Sequence, residues 1–145
     1  MDLIKKDISK SVDQLEASLL EMPQVDCPLK HTFTPGLYSR QIFMPKDSVI
    51  VSKIHKTEHQ FVVSMGVAFV KVNDEEWEEI KAPYIGITKP GTRRVLVIGE
   101  DCIWTTFHPA TEFPKDDSEE SLLDAVAKIE ERIILKHEIV PTIKL

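Results

Sequence analysis

Apolar residues recur at helical spacing at the start of the chain. Ile4, Ile8, Val12, Leu15 and Leu19 stand three or four apart, while Lys6, Lys10, Asp13 and Glu16 fall elsewhere on the wheel. The pattern predicts an amphipathic helix over 3–21, within an N-terminal segment 1–23 closed by Pro23, since proline disfavours the helical conformation in the residue before it. So long an apolar stripe needs a surface, either the domain itself or a second copy of the chain. From His31 to Pro109 the period shortens to runs rich in Val, Ile, Thr and Phe, predicting strands at Leu37–Phe43, Ser48–His55, Gln60–Val72, Trp77–Ile80, Tyr84–Thr88, Arg93–Ile98 and Cys102–His108. Turn residues separate them: Pro35-Gly36, Pro45-Lys46-Asp47, Asn73-Asp74, Pro90-Gly91 and Gly99-Glu100-Asp101. Short strands at this spacing predict an all-β core, a sandwich or antiparallel barrel over 31–109, rather than a parallel sheet alternating with helices. After Pro114 the chain turns acidic and then helical. Asp117 or Ser118 can cap a second amphipathic helix over 117–136, with Glu119 and Glu120 at the positive end of its dipole and Leu122, Leu123, Val126, Ile129, Ile133 and Ile134 as its stripe.

A length of 145 residues fits one domain spanning 1–145, large enough for a substantial core. The 24 acidic against 18 basic residues give a net charge of −6, which disfavours binding to nucleic acid or to an anionic membrane. No run approaches the length of a membrane span, and the start Met1-Asp2-Leu3-Ile4-Lys5-Lys6 lacks a signal peptide's apolar stretch, so the expected setting is cytoplasmic. Cys27 and Cys102 are far apart and form no Cys-x-x-Cys motif, which points to small buried hydrophobes rather than a zinc knuckle or redox pair.

The candidate chemistry concentrates in Lys53-Ile-His-Lys-Thr-Glu-His-Gln-Phe-Val-Val-Ser-Met-Gly66. If a strand runs through 48–55, Val49, Val51, Lys53 and His55 share a face; His59 follows a short bend, and Gly66 marks the next turn. His108 shares a face with Trp104 and Thr106, so His55, His59 and His108 can converge. Three imidazoles with an open position suit a catalytic divalent metal such as Zn, Fe, Ni or Mn. Against this, the same histidines serve equally as hydrogen-bonded wall residues, and the Lys53 ammonium would repel a cation. With Arg94, Lys53 instead suggests a cationic pocket for a carboxylate or phosphate, for which arginine offers a planar fork. The bland alternative splits Arg93 and Arg94 across the strand and pairs the inner one with Glu58 or another acid. Glu58 is available as a ligand or general base, although its place in the bend turns it outward. Trp104 and Tyr84 are further pocket-wall candidates, with core packing as their alternative. Asp74-Glu-Glu-Trp-Glu-Glu79 reads as a charged hairpin edge. Neither a Ser-His-Asp grouping nor a phosphate loop is present.

Taken together, these motifs resemble those of cupins, whose first motif holds two histidines, an acid and a glycine and whose second runs Pro-x-Gly-x-x-His. Gly66 stands at the closing glycine, His59 at the acid, His55 at the second histidine and Lys53 at the first; in Lys89-Pro90-Gly91-Thr92-Arg93-Arg94, Arg94 stands at the last histidine. Two metal-ligand positions thus hold cations. With His31-Thr-Phe-Thr-Pro-Gly-Leu-Tyr-Ser-Arg40 and Trp104-Thr-Thr-Phe-His-Pro109, the chain is similar over about residues 27–135 to small cupin-like (RmlC-like jelly-roll) proteins of phages and prophages, a group without an assigned activity. The resemblance implies a cupin-type antiparallel jelly roll with flanking helices and a homodimer. Strand parity, the motif alignment and the cationic residues together predict a pocket lined by Lys53, His55, His59, Arg94 and His108 that binds a small polar, anionic ligand such as a nucleotide or carboxylate. The alternatives are a metal-dependent oxygenase, isomerase or lyase on the three histidines, or an interaction protein with no chemical site.

Overall fold

The computed structural model describes residues 12–73, 75–135 and 141–144. The first part of the predicted N-terminal helix, with Ile4 and Ile8, lies outside the described residues, as do Asp74 and the last residue of the predicted C-terminal helix. In chain order the elements are α1 (Val12–Leu20), β1 (Leu29–Thr34), β2 (Leu37–Met44), β3 (Ser48–Val51), β4 (His59–Val72), β5 (Trp77–Lys81), β6 (Tyr84–Thr88), β7 (Arg94–Pro109), α2 (Glu119–Ile133) and β8 (Thr142–Lys144).

Two long strands carry the fold. β4 and β7 lie antiparallel from Gln60 opposite Phe107 to Val72 opposite Arg94. One half of the pair is flanked by β2 and β6, with β1 beyond β2; the other half is flanked by β3 and β5, with β8 beyond β3. The pair bends between its halves, where the register shifts repeatedly from Val63 to Ala68. Gly66 sits in this bulge at φ +93°, and a Cβ there would stand 2.1 Å from the Asp101 carbonyl oxygen. Only glycine meets both conditions. Gly66 therefore bends a continuous strand and does not mark a turn between strands. The bulge also resets parity: Phe61 and Val63 are buried before it, Ala68 and Val70 after it. Every pairing among the described residues is antiparallel, and the chain is an all-β jelly roll carrying two helices.

Other boundaries differ from the sequence expectation. The strand predicted over Ser48–His55 ends at Val51 because the following backbone pairs with the end of α2: Lys56 N–H donates to Ile133 O (2.7 Å), Leu135 N–H to Ile54 O (3.0 Å), and His55 forms an isolated bridge with Ile134. Lys53 and His55 thus share a pocket through this junction, not through strand alternation. The strands predicted at Arg93–Ile98 and Cys102–His108 are one, β7; the irregularity lies on β4, and Asp101 Oδ1 instead accepts from the Lys46 N–H at 2.8 Å. β1 and β8 carried no strand prediction. At the remaining predicted turns Gly36, Asp47, Asn73 and Gly91 adopt positive φ.

The interior between the layers holds Met44, Ile50, Phe61, Val63, Val70 and Ile98, among others. Outside the second layer, Val12, Leu15 and Leu19 of α1 pack on Val49, Val51, Val95, Val97 and Ile143, so the described part of the stripe covers the protein's own sheet. This explains the unbroken buried run Arg94–Ile98: odd residues meet α1 and even ones the interior. Ser118 caps α2, its Oγ accepting from the Ser121 N–H, and Val126, Ile129 and Ile133 pack near Tyr38. Among the described residues β5 pairs only with β4, and Glu78 and Glu79 on it and Glu76 just before it are exposed. Both cysteines are free, Cys102 buried and Cys27 half-buried. Among the described residues no helix is long and apolar enough to cross a membrane.

Candidate functional site

Strand register stacks the inward side chains in tiers. In the deepest, Met44 lies opposite Cys102, Ile42 opposite Trp104 and Ile50 opposite Leu96, with no charged side chain among them. One step along, Arg40 faces Thr106, and Ser52 clamps Arg94: the Arg94 N–H donates to Ser52 Oγ and the Ser52 N–H to Arg94 O, both at 2.8 Å. The outer tier sets Tyr38 opposite His108 and His59 opposite Thr88. A cavity of about 140 Å³ opens among these tiers. Its polar wall is Arg40, Ser52, Lys53, His55, His59, Arg94 and Thr106, and its apolar wall is Ile42, Met44, Ile50, Leu96, Trp104 and Ile134.

Lys53, His55, His59, Arg94 and Trp104 thus share one cavity. His108 lies one ring behind the lining, its centroid 4.5 Å from that of His59, which is 4.8 Å from His55. Tyr84 is not on the lining; it packs beside Phe61 at 5.9 Å and belongs to the core edge. Glu58 is exposed and pairs with Lys89 outside the cavity, which removes it both as a base and as the partner of an inner arginine. Arg40, Ser52, Thr106 and Ile134 were not named as pocket residues from the sequence. Arg40 and Thr106 were open to parity, since Arg40 alternates with Tyr38 and Ile42 along a predicted strand; nothing local marked Ile134, which arrives from α2.

Each imidazole leaves one buried ring nitrogen without a partner. His59 Nδ1–H donates to the Thr57 carbonyl at 3.0 Å, leaving Nε2 as a buried acceptor without a partner. His108 Nε2 shares a hydrogen bond with Thr106 Oγ1 at 2.9 Å while its Nδ1 is buried and unpartnered, as is His55 Nδ1. Burial, then the neighbouring His59 and Arg94, pushes His55 down to about 3. Burial with His59 and His55 does the same to His108, and His59 is lowered mainly by burial. All three rings are therefore neutral at pH 7. Behind them His31 Nδ1 and the Tyr38 hydroxyl share a 2.6 Å hydrogen bond.

The charge in the cavity comes from its cations. Arg40 is compensated by Glu130 at 3.1 Å. Arg94 is only 8% exposed, with its guanidinium carbon 4.9 Å from the Phe61 ring centroid and 5.6 Å from that of Trp104. Among the described residues no carboxylate pairs with it or with Lys53. Burial lowers the Arg94 pKa, yet a guanidinium stays protonated at any physiological pH. The residues present do not fit a divalent metal. Among the described residues no group of three or more His, Cys, Asp or Glu could hold one, the three rings tilt against one another, and the acid and two of the histidines of the cupin ligand set are replaced by His59, Lys53 and Arg94.

No family model matches the sequence, and no curated protein matches it. Among solved structures the chain is similar to protein NMB1881 from Neisseria meningitidis, at 8% identity over 64% of this chain and 93% of that one, with a TM-score of 0.51. It is also similar to an RmlC-like cupin from Shewanella frigidimarina (20% identity, 64% and 88% covered, TM-score 0.48) and to KdgF from Halomonas sp. (18% identity, 62% and 90% covered, TM-score 0.48). At these identities the likeness is one of fold, and no activity passes with it.

Proposed function

We propose that the barrel mouth binds a small anionic ligand without a metal, and that Arg94 is its principal contact. The observation that carries this reading is a buried guanidinium facing a cavity with no carboxylate among the described residues to compensate it. An unpaired buried charge is costly, and an anion arriving in the cavity offsets that cost while meeting the planar donor fork. Lys53 adds a second cation, and His55 and His59 line the same cavity beside it. The size of the cavity selects among anions. At about 140 Å³ it falls below the ~300 Å³ at which ordinary ligand pockets begin, which favours a small carboxylate over a whole nucleotide.

Thermal denaturation of the wild type and Lys53→Met with acetate, benzoate, inorganic phosphate and adenosine monophosphate tests the reading, alongside elemental analysis of protein purified without chelators. The expected result is stabilisation by a carboxylate, weakened in Lys53→Met, with no stoichiometric metal. One equivalent of metal, retained in Lys53→Met and lost in His55→Ala, would replace this reading with a metal enzyme; no response to any anion would leave an interaction protein.

A further inference from the structure

The tiers of the cavity differ in kind, and from this we infer that the ligand is an amphipathic monocarboxylate: a single carboxylate on Arg94 with a short apolar tail directed into the barrel. The inference rests on the anion reading above and narrows it. Strand register fixes the direction. Along β7, Arg94 precedes Leu96 on the inward face, and Leu96 lies opposite Ile50; along β2, Ile42 and Met44 continue inward from Arg40. The wall therefore turns from cationic to uncharged and largely apolar within one inward residue step. Ile42, Met44, Ile50 and Leu96 offer no donor, acceptor or charge to a second polar group.

A dianion such as succinate would bring its far carboxylate against Ile50 and Leu96, where burying an unpaired charge is prohibitive. Inorganic phosphate would satisfy Arg94 and leave the apolar end unfilled. An apolar tail instead removes its own surface, and that of four side chains, from water. The small volume limits the tail to a short one.

Isothermal titration calorimetry of the full chain with acetate, butyrate, hexanoate, octanoate, succinate and inorganic phosphate tests this. Affinity is expected to rise about fourfold for each methylene that enters the barrel, to reach a maximum within the series and then to fall. Succinate is expected to bind at least tenfold more weakly than butyrate. Leu96→Ala and, on another strand, Met44→Ala should each move the optimum to a longer acid; far-UV circular dichroism identifies which of them remains folded. Equal affinities across the series, or succinate or phosphate binding as tightly as hexanoate, would overturn the monocarboxylate inference while leaving the anion reading intact. Binding of none of the six would overturn both.

Discussion

Arg93 and Arg94 are neighbours in the chain and opposites in their surroundings. Arg93 turns outward under α1, where it meets Asp13 at 2.6 Å and also Glu16. Arg94 turns inward against Phe61 and Trp104 and meets no acid among the described residues. The contrast extends to the two regions. On the α1 side apolar side chains close over the sheet and the half-buried Arg93 is paired; at the mouth under α2 lie a guanidinium with no acid beside it among the described residues and three imidazoles with unpartnered nitrogens. Buried polar groups in native proteins are nearly always satisfied. Where they are left open together around a cavity, a missing partner explains them better than a packing fault, and local rules are broken most often at functional sites.

The largest effect expected of a single substitution joins the two regions. Gly66→Ala puts a methyl group on the Asp101 carbonyl at a backbone conformation alanine avoids, and should cost about 3–5 kcal/mol in urea denaturation. An unchanged midpoint would sink the account of the bend. Next is pH. His55 and His108 titrate near 3 in the folded protein but near their ordinary 6.5 when unfolded. Below about pH 6.5 the unfolded chain therefore takes up protons that the folded one refuses. Stability is intact above that pH and falls towards pH 3, by up to about 1.4 kcal/mol per pH unit for each ring. His108→Phe should flatten the slope, and a wild-type stability level between pH 6.5 and 4.5 would contradict neutral burial. Smaller again, Arg93→Met should lose about 1–2 kcal/mol through its contacts with Asp13 and Glu16 and leave carboxylate binding unchanged, since it lies outside the cavity. Weakened binding in that variant would blur the division between the regions.

Much of the fold was legible because it rests on local signals. Period-two runs located β2, β4, β5 and β6, the Ser118 cap and apolar spacing located α2, and glycine, asparagine and aspartate located the turns. What escaped depends on partners distant in sequence. The backbone of 54–56 leaves the sheet for α2, some eighty residues on, and β8 is three residues whose only signal is the edge of β3 beside it. The site was legible in composition more than in geometry. Lys53, His55, His59 and Arg94 were named from the motif-like stretches, but the strand alternation invoked for Lys53 and His55 does not hold, Tyr84 belongs to the core edge, and His108 stands behind the lining. The decisive property, the lack of an acid beside Arg94 among the described residues, is a fact of three-dimensional neighbours that a chain with 24 acidic residues conceals.

Arg94→Met is the most direct test of the claim that this guanidinium awaits an anion. Thermal and urea denaturation, with and without saturating butyrate, would compare it with the wild type. Removing an uncompensated buried charge in favour of an apolar side chain should leave the ligand-free protein as stable or about 1 kcal/mol more stable, and should abolish the stabilisation that butyrate confers. A ligand-free Arg94→Met protein that is markedly less stable, and that still responds to butyrate as the wild type does, would show that Arg94 is a structural residue and contradict the account.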